Sequence, residues 1–333
     1  MSRSQPDVFD RAGGSLWGLA IGDALGMPTQ MLSRRTIVET FGEIQRFEAP
    51  RQDHPVASGL PPGTVTDDTE QAVLLGRLLG PDAHLDQLSW ERALLDWEER
   101  MRARGSLDLL GPSTTAALHA RRSGTPADQA GVGGTTNGAA MRICPVGIAV
   151  DSTDLGRLVD RVVEASMLTH NTSLALAGAA AVAAAVSACL DGATVPEAVG
   201  LAVRAAELGA VRGRWVAGAS VARRIEWAAD HGRWTSARNL PDLVADLVGT
   251  SLASQESVPA AFAILAAFPK DPWKVVCTAA SVGGDCDTIA AMAGAMAGAA
   301  LGVGGFPDDA VQTVREVNHL DLDELAGDLL ALR

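Results

Sequence analysis

Two short stretches hold the residues best suited to chemistry. Thr66-Asp67-Asp68-Thr69-Glu70 sets carboxylates and hydroxyls directly before the apolar run 71–79. Near the other end, Ser281-Val282-Gly283-Gly284-Asp285-Cys286-Asp287-Thr288-Ile289 leads into a small-residue apolar run over 290–301. Neither run has a breaker other than glycine, so both read as buried helices. The acids then lie at helix N-termini, where free N–H groups and the helix dipole favour anionic oxygen. Taken alone, either stretch is also an ordinary helix cap, and Asp67 with Glu70 fits a capping box. A cap needs only one side-chain oxygen, and each stretch supplies more. If the two meet, Asp67, Asp68, Asp285 and Asp287 crowd one site. Like charges that close cannot all stay ionised without compensation. Few basic residues flank either stretch, so a hard divalent cation with oxygen ligands (Mg²⁺, Mn²⁺ or Ca²⁺) is the expected partner. An EF-hand is excluded, because its third acid, loop glycine and closing Glu are missing after Asp287.

The elements that would position these acids are helices. Apolar segments follow a 3.6 period or run on as buried helices, and no βαβ pattern appears. Small residues at Gly18, Ala20, Gly22 and Ala24 imply close packing of an early helix or close approach of a ligand. Gly294, Gly298 and Gly302 recur every four residues, which implies a close helix crossing. Residues 85–101, 199–208, 216–229, 243–252, 260–268 and 320–332 read as further helices, with a break at 109–113 and a polar connection at 230–242. The Pro- and Gly-rich segment 50–63 reads as a mobile loop with His54 solvated on it. Gly131-Val132-Gly133-Gly134-Thr135-Thr136-Asn137-Gly138 is a glycine loop whose N–H groups can bind anions or sugar hydroxyls. It is no P-loop, since the Gly-Lys-Ser/Thr ending is absent. The expected fold class is all-α: a compact single domain over 13–333 after a loose tail at 1–12.

The two acidic motifs resemble those of the ADP-ribosylglycohydrolase family, which includes the dinitrogenase-reductase-activating glycohydrolases. Gly18-Leu19-Ala20-Ile21-Gly22-Asp23-Ala24-Leu25-Gly26, Thr136-Asn137-Gly138-Ala139-Ala140-Met141-Arg142 and Thr169-His170 extend the match in the family's order, from about Gly14 to Asp321. The resemblance implies a multi-helix fold and two Mg²⁺ (Mn²⁺ as substitute), held by Thr66, Asp67, Asp68, Asp285, Asp287 and Thr288. Asp67 and Asp285 become the catalytic candidates. Gly133, Gly134, Asn137 and His170 become substrate contacts, and Asp23 a supporting residue. Family members often carry Glu where this chain has Gln30, which cannot accept a proton. The activity implied is hydrolysis of a ribosyl glycosidic bond, releasing ADP-ribose from a modified protein or small molecule. Details such as Leu110-Gly111-Pro112-Ser113 resemble a bacterial subfamily, which implies a nucleoside hydrolase as the alternative. A non-catalytic ADP-ribose-binding or structural member would be expected to lack ligands, and all six are present.

Composition narrows the setting. The 333 residues are 47% hydrophobic and 20% charged, enough for a sizeable core. A net charge of −13 argues against binding nucleic acid or an anionic membrane. Cys144, Cys189, Cys277 and Cys286 form no C-x-x-C pair and are expected as buried thiols. The stretch 1–10 is polar, with no visible signal peptide, and the apolar run 174–190 falls short of the roughly 20 residues of a membrane span. A cytoplasmic location is the expectation.

Overall fold

The computed structural model describes residues 6–107 and 110–333. Its core is a pair of helices whose backbones touch. The first, Val8–Gly26, is lined on one side by Gly14, Gly18, Gly22 and Gly26. It crosses Cys286–Leu301, whose facing residues include Gly298, Gly294, Ala290 and Asp287. A Cβ on Gly18 would stand 2.2 Å from the Gly294 carbonyl oxygen, and one on Gly26 would stand 2.2 Å from Asp287 Cα. Only glycine permits this approach, and the approach brings Asp23 beside the start of the second helix. The small-residue periodicity read from sequence is therefore a helix crossing. Arg11 ties the far end, donating from Nη1 to the carbonyls of Cys189, Ala299 and Ala300.

The helix Ser173–Leu190 is buried along its whole length. It is long and apolar enough to cross a membrane by composition, but here it is enclosed by protein. Val195–Ala210, Val221–Trp234 and Ser254–Ala267 follow it, and Gln87–Ala103 buries Trp90, Leu94, Trp97 and Met101 on one face. Among the described residues there is no strand. Two isolated bridges occur, Thr136 with Ala253 and Thr172 with Arg214. The fold is all-α, as expected, and the four cysteines are buried and unbridged.

Several local expectations are corrected. The tail expected at 1–12 is helical from Val8, while residues 1–5 lie outside the described residues. Part of the break expected at 109–113 also lies outside them, and Pro112 opens the next helix. The segment 216–220 is not helical, because Ser220 caps the helix by accepting from Arg223 N, and that helix then runs on to Trp234. The helix expected over 243–252 is a single wide turn, Val244–Val248, stopped by Gly249 at φ 92°. Residues 250–253 are thereby released to form a wall of the cavity described next. His54 is not solvated but buried. Its Nδ1 accepts from the N–H groups of Val56 and Ala57, which leaves Nε2–H to donate to the Gln30 carbonyl at 3.0 Å. The segment 50–63 is thus pinned beside Gln30.

Candidate active site

The two acidic motifs meet. Thr66 is the N-cap of Asp67–Leu78 and Asp285 that of Cys286–Leu301, yet neither side chain caps its helix. The capping-box reading fails for this reason. Asp23, fully buried, takes both threonine hydroxyls of the first motif: Thr66 Oγ1 donates at 2.6 Å and Thr69 Oγ1 at 2.5 Å, with both backbone N–H groups adding to them. Asp68 lies at the centre. Thr66 Oγ1 reaches its Oδ2 at 3.4 Å from one side and Thr288 Oγ1 at 3.3 Å from the other. Asp68 Oδ1 is buried and has no hydrogen-bond donor.

Asp285 is placed by the turn before it. Gly283 and Gly284 both hold positive φ, +85° and +67°, and a Cβ would meet Arg34 N at 2.6 Å on the first and the Thr250 carbonyl oxygen at 2.3 Å on the second, so glycine fits there. That turn is stitched to the 31–32 backbone and to the Thr250 carbonyl. Asn137 Nδ2 donates to Asp285 Oδ2 at 2.5 Å and to Ser257 Oγ at 3.0 Å. Asn137 is itself held by pairing of its N–H with the Leu252 carbonyl.

Packing these acids together has an electrostatic cost. Burial pushes Asp23 and Asp285 up to about 6, against an ordinary value of 3.8, despite their hydroxyl and amide donors. Asp68 rises well above the carboxylate range, first through burial, then through the charges of Asp23, Asp67, Asp287 and Asp285. Among the described residues no three His, Cys, Asp or Glu side chains already form a closed cage for a metal. The donor set nevertheless suits a hard cation: carboxylate and hydroxyl oxygens, mutual repulsion, and one buried carboxylate oxygen with no donor. Four carboxylates without a cation are not expected to draw to ligand spacing, so the open arrangement and the fit are compatible.

The acids form the floor of a cavity of about 660 Å³. Asp67, Asp285, Asp287 and Thr288 line it, with Gln30 and the 250–253 segment in its walls. A second cavity of about 330 Å³ adjoins it through Val56, Asp67 and Leu107 and reaches Glu70 and Trp97.

Of the expected substrate contacts, Asn137 lines the main cavity, with its amide donors engaged. Gly133 is exposed and Gly134 buried, and neither lines it. A Cβ on Gly134 would meet the Thr169 carbonyl at 2.2 Å, so that glycine serves backbone packing. His170 is fully buried and reaches the cavity only through Thr136 Oγ1, at 3.0 Å. Burial, and then the nearby Arg142, hold its ring well below the usual histidine range, so it is neutral. Sequence reasoning missed Gln71, which donates to Asp67 Oδ2 at 2.9 Å, and Ser257 behind Asn137. Gln71 was legible only as a polar residue inside an apolar run.

Comparison with known proteins places the chain in a family. Residues 4–333 match the ADP-ribosylglycohydrolase family. The chain is 34% identical over 326 residues to the uncharacterised Escherichia coli protein YegU, covering 97% of each. It is 30% identical over 175 residues to the ADP-ribosyl-[dinitrogen reductase] glycohydrolase of Rhodospirillum rubrum, which covers 51% of this chain and 54% of that one. A solved structure described as an ADP-ribosylglycohydrolase-related protein complex superposes with a TM-score of 0.71 at 25% identity, covering 98% of this chain and 99% of the other.

Proposed function

The chain belongs to the ADP-ribosylglycohydrolase family of glycosidic-bond hydrolases, and on that premise we propose that it is a Mg²⁺-dependent hydrolase of ribosyl compounds that removes ADP-ribose from a modified protein or small molecule. One observation carries the reading: two helix-opening motifs whose side chains forgo capping converge on the buried Asp68, with Asp67, Asp285 and Asp287 lining the cavity beside it. Thr66, Asp67, Asp68, Asp285, Asp287 and Thr288 would hold two Mg²⁺, or Mn²⁺ in their place. Bound there, the ions supply Lewis-acid polarisation and a water of lowered pKa.

The chain's own groups supply the rest. The Asp67 or Asp285 carboxylate takes a proton from the water as its oxygen bonds to the anomeric carbon. The bond from that carbon to the leaving group breaks, and the leaving group takes up a proton. Charge on the oxocarbenium-like ring is offset by the carboxylate floor. Asn137 keeps the Asp285 carboxylate fixed during this step.

A nucleoside is the second reading. Among the described residues lining the main cavity there is no Lys or Arg, while there are three carboxylates, so a pyrophosphate would meet no side-chain cation among them. Incubation with Mg²⁺ and a panel of ADP-ribosylated peptides and nucleosides separates the two. Release of ADP-ribose supports the first reading. Release of base and ribose supports the second, and release of neither contradicts both.

Ion binding is expected to depend on pH in a stated sense. Asp23 and Asp285 hold protons below about pH 6 and Asp68 holds one higher still, and a cation must displace those on Asp68 and Asp285. In the metal-free protein these acids bind more protons folded than unfolded between pH 4 and 6, so their contribution to stability falls as pH rises. His54 and His170, buried neutral, act in the opposite sense below their ordinary value of 6.5. Melting temperature therefore mixes the two, and ion affinity does not. Calorimetry at pH 7 and pH 5 is expected to show Mg²⁺ affinity falling at least about 10-fold at the lower pH, with proton release on binding. Equal affinities would contradict this.

A further inference from the structure

Arg142 is a buried guanidinium with an unusual set of partners. Its Nη1 donates to Gln71 Oε1 at 2.7 Å and its Nη2 to Thr169 Oγ1 at 2.6 Å, both neutral acceptors, and its Nε has no acceptor. The ring of Trp90 lies 5.3 Å below it. Burial lowers its pKa to about 10, against the pull of Asp67, so it stays charged at neutral pH. A buried charge held by neutral acceptors is costly, so stability alone is a poor account of it.

Two hydrogen-bonded lines leave this guanidinium. On one, Gln71, fixed by Arg142 at its oxygen, turns its Nε2–H₂ to Asp67 Oδ2. On the other, Thr169 accepts from Arg142. Its own proton goes to His170 Nδ1 at 2.7 Å in preference to the Ser166 carbonyl at 3.5 Å. His170 then carries its proton on Nε2, facing Thr136 Oγ1, which passes its own to Ser113 Oγ at 2.8 Å. Each donor along both lines points away from Arg142. Asp67 and Thr136 both line the main cavity.

We propose that Arg142 is a positioning residue that orients the Asp67 carboxylate through Gln71 and the Thr136 hydroxyl through Thr169 and His170, coupling the ion-binding wall to the substrate wall. The inference rests on the ion-binding reading above. Lysine cannot hold both acceptors in the planar fork that arginine offers.

The test is Mg²⁺ titration calorimetry of the whole protein for wild type, Arg142→Lys, Arg142→Met, Gln71→Met and the Met–Met double variant, with circular dichroism establishing that each is folded. Arg142→Lys is expected to weaken Mg²⁺ about 10- to 100-fold. The double variant is expected to bind no more weakly than Arg142→Met alone, because Gln71 transmits the effect. His170→Gln is expected to raise KM while leaving Mg²⁺ affinity unchanged. If Arg142→Met does not fold, Gln71→Met carries the test alone. A folded Arg142→Lys or Gln71→Met protein with wild-type Mg²⁺ affinity overturns the inference and leaves the functional reading standing. A wild-type protein that binds neither Mg²⁺ nor Mn²⁺ overturns both.

Discussion

Asp68→Asn is expected to raise the melting temperature of the metal-free protein while abolishing its stabilisation by Mg²⁺ and lowering turnover by more than about 100-fold. The directions follow from one geometry. Asp68 is fully buried, and four neighbouring aspartates push its proton affinity up after burial has done so. Asparagine keeps the shape, is neutral without having to bind a proton among the other acids, and still accepts from Thr288 through its oxygen. Most substitutions in a packed interior destabilise. This one removes a cost that otherwise only a bound proton or a cation relieves. Calorimetric melting with and without Mg²⁺ gives both signs in one experiment. A metal-free variant less stable than wild type, or one still stabilised by Mg²⁺, would show that Asp68 is an ordinary buried acid.

Gly22→Ala is expected to cost about 3 kcal/mol or more and to lower activity as well. The added Cβ would stand 2.1 Å from the Ala290 carbonyl oxygen and 2.4 Å from its carbon. Both are backbone atoms inside a buried helix, so no side chain can swing aside and the helices must part. Asp23 follows immediately and holds Thr66 and Thr69, so separation loosens the first acidic motif. Gly200→Ala is the control. It sits in Val195–Ala210 with nothing within 4 Å of the added methyl, and is expected to gain about 0.5–1 kcal/mol. Denaturant unfolding of the two variants measures the contrast. Similar costs for both would refute close backbone contact at the crossing.

The crossing and the acids were legible in sequence because both are written locally. Glycines four apart declare a bare helix face, and paired aspartates before an apolar run declare a polar site at a helix start. The residues that hold those acids were not legible, because their partners lie far along the chain. Gln71 meets Arg142, Asn137 meets Asp285, and Thr136 meets Ser113 only after folding. His54 reads as a loop residue because Pro, Gly and Ser surround it, yet its ring replaces a missing backbone partner and is buried. Residues 250–252 of that wall were read as helix because the pattern before them is apolar. Gly249 at positive φ ends the turn there. Gly133 and Gly134 were expected to face substrate by family resemblance, while the folded loop uses Gly134 to pass against Thr169.

Diffraction from crystals soaked in Mn²⁺, recorded for anomalous signal, bears on the convergence of the two motifs as an ion site. The expected result is strong density about 2.0–2.2 Å from oxygens of both motifs, Asp67 and Asp68 on one side and Asp285 and Asp287 on the other. Density on one motif alone, or none at saturating Mn²⁺, would contradict a shared site and the hydrolytic chemistry built on it.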